Sequence, residues 1–125
     1  MCTILLPIKP EYANGIINKT KLYEYRKRIC KRNVDRIVIY STYPVGKVIA
    51  EVEVSGTISK APNELWQETK KYSGISKSKY MEYYRNKDIA FAYKLGKVYV
   101  YDKPKNLKDF GINYYPQSYV YLENN

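Results

Sequence analysis

Asn18-Lys19-Thr20-Lys21-Leu22-Tyr23-Glu24-Tyr25-Arg26-Lys27-Arg28 is the stretch on which the rest of the chain turns. It sets one carboxylate and several cations among two tyrosines, and its spacing predicts an extended strand over residues 21–28. Successive side chains of a strand point to opposite faces, so Leu22, Glu24, Arg26 and Arg28 share one side while Lys21, Tyr23, Tyr25 and Lys27 share the other. One face is ionic along most of its length. Two readings fit that pattern. The strand is either a solvated edge, where charge blocks pairing with other chains, or the wall of a cleft that holds a polar ligand.

Outward from this stretch, the flanking segments read as a strand and a helix before it and a run of strands after it. Thr3 to Ile8 is a short buried strand, with Pro7 limiting where it pairs. Pro10 suits a first helical turn, and Tyr12, Ala13, Ile16 and Ile17 recur at helical spacing up to about Asn18. Ile37 to Thr42 is β-branched and precedes a Tyr43-Pro44-Val45-Gly46 turn. Lys47 to Val54 follows as a strand, with Val48, Ala50, Val52 and Val54 on one face and Ile49, Glu51 and Glu53 on the other.

Residues 62 to 87 switch to helical punctuation. Pro62 starts a helix whose Leu65, Trp66, Thr69 and Tyr72 lie on one side before Ser73-Gly74 ends it, and Trp66 is read as a core or lid residue ahead of a base-stacking platform. Ser76 caps a second helix with Tyr80, Met81 and Tyr84 inside and Lys77, Lys79 and Arg85 outside. The last third predicts a hairpin, Ile89 to Lys94 and Lys97 to Asp102 about a Leu95-Gly96 turn. One helical turn over Asn106 to Phe110 and a closing strand over Tyr119 to Leu122 come next, and Glu123-Asn124-Asn125 is expected to fray.

Composition narrows the chemistry. The chain has 125 residues, a size that suits one domain over residues 1–125. Its 22 Lys and Arg outweigh 12 Asp and Glu, a net charge of +10 that suits a polyanionic partner such as nucleic acid. Four of the five arginines, Arg26, Arg28, Arg32 and Arg36, crowd into one short segment. Forked guanidinium groups in such a cluster match phosphates or carboxylates. There is no histidine, so Ser-His and Cys-His nucleophilic dyads are excluded and acid–base work falls to Lys, Glu, Asp or Tyr.

Cys2 and Cys30 have no metal-ligand spacing, which implies neither a metal site nor a disulfide framework. Glycine-rich nucleotide fingerprints are missing, and no cofactor is implied. No N-terminal apolar run is long enough for a signal peptide or a membrane span, so the expected compartment is the cytoplasm, away from membranes.

The element order predicts an α+β fold: a small, mixed, partly closed β-barrel with helices over one opening. Ile8-Lys9-Pro10-Glu11-Tyr12-Ala13 followed by Lys21-Leu22-Tyr23-Glu24-Tyr25-Arg26 resembles the start of an ASCH domain, of the PUA-like superfamily. The family pattern there is Gly, one residue, Lys, two residues, Glu, one residue, Arg. The likeness extends through Val38 to Thr42, Gly46 to Val54 and Pro116-Gln117-Ser118. The family's usual Gly falls at Lys19 here.

The resemblance implies a pseudobarrel whose central cleft binds RNA or a modified nucleobase or nucleoside. It places Lys21, Glu24 and Arg26 in that cleft with Tyr40, Ser41 and Glu53 beside them, and leaves Arg28, Arg32 and Arg36 as electrostatic support. A nucleic-acid-associated binding module is the leading expectation. One branch of the family is similar to amidohydrolases that deacetylate N4-acetylcytidine with a lysine, a threonine and a glutamate. Carried over, these give Lys21 and Glu53, with Glu24 at the threonine position. A regulatory protein-interaction domain is the third reading.

Overall fold

A computed structural model describes residues Met1–Leu122. In chain order the elements are β1 (Thr3–Ile8), α1 (Pro10–Ile17), β2 (Tyr23–Arg26), β3 (Arg36–Ser41), β4 (Lys47–Lys60), α2 (Pro62–Thr69), α3 (Lys77–Tyr83), β5 (Ala90–Lys105) and β6 (Val120–Leu122). Short 3₁₀ turns cover Lys70–Tyr72 and Leu107–Phe110. No helix among the described residues is long and apolar enough to cross a membrane.

The six strands form one sheet in the order β2-β5-β4-β3-β1-β6. β1 and β3 run parallel, and every other neighbouring pair is antiparallel. Pro7 pairs only with β3, because β6 stops at Thr3 to Leu5. A missing backbone donor there leaves no gap in a second ladder.

The barrel expected from the sequence does not close. β2 and β6 are the two edges and do not pair with each other. The sheet curls only until the Arg26 guanidinium reaches the Pro7 carbonyl of β1, donating a hydrogen bond of 2.9 Å. A side chain, not a ladder, spans that seam, and a large cavity opens beside it.

The expected hairpin at Leu95-Gly96 is likewise replaced, by one continuous strand of 16 residues. Gly96 does not take a positive φ, which a tight primed turn requires of its central residues. Instead the register against β4 slips between Val52 and Val54 and again between Val54 and Gly56, and the Leu95 amide donates to Leu22 O at 3.0 Å. Glycine inside a strand marks such an irregularity as readily as a turn.

Strand alternation divides the core between the two sheet faces, and a slip near the other end of β4 moves Val48 to the opposite face from Ala50 and Val52. Ile39 pairs with Ala50 but Tyr40 pairs with Val48, leaving Ile49 as an extra residue. Ile39, Ala50 and Val52 join a cluster with Ile4, Leu6, Ala13 and Ile16 beneath α1. Tyr40 and Val48 pack with Leu5, Val38 and Ile112 in another. A third cluster seats the helical insertion: Trp66, Tyr80, Tyr84 and Leu65 against Tyr25, Ala90 and Ala92. Trp66 is a core residue, its ring centroid 4.8 Å from that of Tyr80. Tyr72, expected inside, is 43% exposed, because the helix tightens to a 3₁₀ turn at Lys70 and rotates it outward.

Candidate functional site

Lys21 is 2% exposed, an unusual fate for an ammonium group. Its burial is built locally. Helix α1 ends at Ile17, and Lys19 turns the chain in the left-handed region with φ 63°. The amides of Thr20 and Lys21 then donate to Gly15 O. Two glycines make room for the lysine stem. A Cβ on Gly15 would lie 3.2 Å from Lys21 Cβ, and one on Gly74 would lie 2.3 Å away. The glycine in the middle of α1 thus has a packing reason that offsets its helix cost.

The Lys21 amine donates to Ser73 O at 2.9 Å. It sits 4.6 Å from the Tyr25 ring centroid and 5.3 Å from that of Tyr12. Burial lowers its pKa from 10.5, opposed by the charge of Glu24 and assisted by that of Arg26. The site therefore holds an amine that loses its proton more readily than a surface lysine.

Glu24 and Arg26 come from β2, two residues apart and so on one face of the strand. Regular strand geometry covers only Tyr23–Arg26, which frees Lys21 from the alternation expected over 21–28 and brings it to the same cavity as Glu24. Glu24 Oε2 approaches Arg26 Nε to 3.5 Å. That approach is an ion pair without a hydrogen bond, for Arg26 Nε is buried and has no hydrogen-bond partner. The Tyr84 hydroxyl steadies the strand from behind, 3.0 Å from Arg26 O and 2.9 Å from Phe91 O. Tyr25 is held by the Thr69 hydroxyl at 2.6 Å, and Thr69 in turn donates to Leu65 O.

These three side chains line a cavity of about 1140 Å³ between β1, β2, α1, α3 and the segment before β6. Tyr12, Tyr40, Tyr43, Tyr83 and Tyr115 add aromatic surface to its wall. Tyr43 and Tyr115 are 89% and 78% exposed, which leaves their faces uncovered at the rim. Across it Lys79 of α3 pairs with Glu11 of α1 at 3.7 Å, and both residues line the cavity.

The remaining predicted site residues are dispersed. Of the cleft set, Lys21, Glu24, Arg26 and Tyr40 line the cavity; Ser41 is buried and does not. Glu53 of β4 does not line the cavity and accepts a hydrogen bond from the Tyr99 hydroxyl at 3.2 Å. The trio of Lys21, Glu24 and Glu53 is therefore not assembled. Arg36 is engaged with Glu51 at 2.7 Å, and Arg32 stacks over Tyr121 at 4.3 Å. Arg28 lines a second, smaller cavity next to the first. Sequence reading missed Glu11, Lys79 and Glu82, which the folding of α1 and α3 over the seam brings together, and the rim tyrosines Tyr43 and Tyr115, which come from the turn after β3 and the segment before β6. Gly15 and Gly74 were visible signals of a close approach, without showing what approaches.

The ASCH domain family pattern matches residues 6–99. The chain belongs to the ASCH domain family. ASCH domains are PUA-like, and Lys19, where the resemblance puts a glycine, sits at a positive φ that glycine adopts more readily.

Solved structures of ASCH from Zymomonas mobilis superpose with a TM-score of 0.89 at 28% identity, covering 97% of this chain and 87% of that one. Tyrosine-to-phenylalanine and serine-to-alanine variants of that protein match equally well. An ASCH domain-containing ribonuclease of Zymomonas mobilis is 29% identical over 92 residues, 73% of this chain and 62% of its own length. Two Ureaplasma parvum proteins match 97% of this chain: ATP synthase subunit alpha at 32% identity and large ribosomal subunit protein uL22 at 30%. This chain spans only 15% and 39% of their respective lengths.

Proposed function

We propose that this ASCH domain is a nucleic-acid-associated binding module that takes an unstacked base of single-stranded RNA, or a modified nucleobase, into the cavity. The observation that carries the reading is the floor of Lys21, Glu24 and Arg26 beneath a tyrosine-lined wall. A carboxylate between two cations complements a base edge that presents N–H donors beside a carbonyl, as cytosine and guanine do. Tyrosine faces stack on any base and supply sequence-tolerant affinity. Bases of a duplex are not available to such a pocket, whereas those of loops and single strands are.

Binding of a labelled single-stranded RNA across a salt series tests this. Affinity should fall with rising salt, because phosphate contacts release counterions. Glu24→Gln should weaken binding by about tenfold or more, since a charged hydrogen bond is worth roughly 1.5–3 kcal/mol. Affinity insensitive to both changes would overturn the reading.

A second reading is favoured by the named ribonuclease relative: the cavity would cleave the strand it holds. With no histidine in the chain, proton transfer would fall to Lys21, a tyrosine or a glutamate. Incubation of end-labelled RNA decides it, and an uncut strand at long times rejects cleavage. The structure gives deacetylation of acylated nucleosides less support, since Glu53 lies away from Lys21.

A further inference from the structure

The second cavity, of about 300 Å³, adjoins the first and shares Arg26 and Tyr83 with it. Its walls carry Lys27 and Arg28, which follow β2 directly, Lys87 from the turn after α3, and Ser118 before β6. No carboxylate lines it, whereas the main cavity has Glu11, Glu24 and Glu82. Arg28 and Lys87 make no ion pair among the described residues, and Lys27 only covers the Tyr83 ring at 4.7 Å. Uncompensated like charges around a concavity repel one another and are relieved by a multivalent anion. A guanidinium fork, two ammonium groups and a hydroxyl are the donors that bind phosphate oxygens.

The geometry points to a phosphate site: we infer that the cleft of Lys27, Arg28, Lys87 and Ser118 holds the phosphodiester adjacent to a base seated in the main cavity. This rests on the base-binding reading above and makes it specific. Arg26 is the shared wall, its Nε turned toward Glu24 and its Nη2 held by Pro7 O. Arg32 and Arg36, spent on Tyr121 and Glu51, take no part. The ligand is then a nucleotide within a strand, read by its base on one side of Arg26 and fixed by its backbone on the other. Phosphate contacts set register in this way, while base contacts supply selectivity.

The test compares Arg28→Ala/Lys87→Ala with Lys103→Ala/Lys108→Ala, which removes the same charge from exposed positions elsewhere. Both doubles replace exposed side chains and should unfold at the wild-type temperature. For single-stranded RNA each lost phosphate contact reduces the slope of log affinity against log salt by about 0.7. The first pair should therefore flatten the slope by about 0.7, the share of the one phosphodiester the cleft holds, and weaken binding about tenfold at low salt, equally across sequences. The second pair should do neither. Equal effects of the two pairs would overturn the site in favour of diffuse charge.

If Glu24→Gln leaves RNA affinity intact while the Arg28/Lys87 pair lowers it, the phosphate site stands and the base reading falls. If wild-type protein retains no RNA, inorganic pyrophosphate is titrated and the amide resonances of Arg28, Lys87 and Ser118 are followed. Saturable shifts at those three uphold the phosphate site alone, and unshifted resonances overturn it.

Discussion

Gly74→Ala is the sharpest probe of how the lysine is buried. Gly74 adopts φ +65°, and a Cβ there would lie 2.3 Å from Lys21 Cβ, 2.6 Å from its Cγ and 3.0 Å from its Cα. Gly111 supplies the control, since its φ is +75° yet nothing lies within 4 Å of the added carbon. Placing an L side chain in the left-handed region costs about 1–2 kcal/mol, offset by about 0.5–1 from the lower entropy of the unfolded chain. Gly111→Ala should therefore cost roughly 0.5–1 kcal/mol. Gly74→Ala carries that cost plus about 1–3 kcal/mol of overpacking.

The 125-residue chain unfolds with an entropy of about 0.26 kcal/mol/K, so 1 kcal/mol moves Tm by about 4 °C. The expected losses are about 2–4 °C for Gly111→Ala and about 6–16 °C for Gly74→Ala, read by thermal melts followed by circular dichroism. Adding Lys21→Ala should not rescue Gly74→Ala, because the 2.3 Å contact is with a Cβ that alanine retains. Equal losses at the two glycines would refute the claim that Gly74 exists to admit Lys21.

Lys19→Gly should stabilise the protein by about 0.5–1 kcal/mol, the reverse of the same balance, because Lys19 sits at φ 63°; a lower urea midpoint would contradict it. The pH dependence follows from Lys21, whose pKa burial lowers from 10.5. Between the lowered value and 10.5 the unfolded chain binds more protons, so stability from this group rises with pH across that window. Lys21→Met should lack the rise, and its urea midpoint relative to wild type should fall as pH approaches 10; a constant difference would refute the assignment. Above pH 10 the sign reverses. Burial pushes Tyr80 up to about 12 and also raises Tyr25 and Tyr84, so unfolded tyrosines ionise first and stability falls. Glu53→Gln should leave RNA affinity unchanged, and a loss comparable with that of Glu24→Gln would place Glu53 within reach of the ligand.

Local signals in the chain were enough to find most elements and one edge of the cavity. Pro10, Pro62 and Ser76 mark three helix starts because each acts through its own backbone or the next turn, as the Ser76 bond to the Lys79 amide shows. An Ile and Leu run marks β1, and runs rich in Ile and Val mark β3 and β4, for a similar reason. Glu24 and Arg26 on one strand face are legible too, being two residues apart, whereas Lys21, which alternation puts on the other face, joins them only because regular strand geometry begins at Tyr23.

Non-local geometry decided the rest. Leu95-Gly96 has the composition of a turn, yet its partner across the ladder makes it a slip within one strand. Whether a curled sheet closes depends on which edges meet, and the contact of Arg26 with Pro7 joins residues 19 apart in sequence. Arg28, Arg32 and Arg36 are equivalent as a cluster on paper. Only the fold gives Arg36 a carboxylate and Arg32 a ring while leaving Arg28 facing a cleft, because a side chain's partners come from strands the sequence does not place beside it.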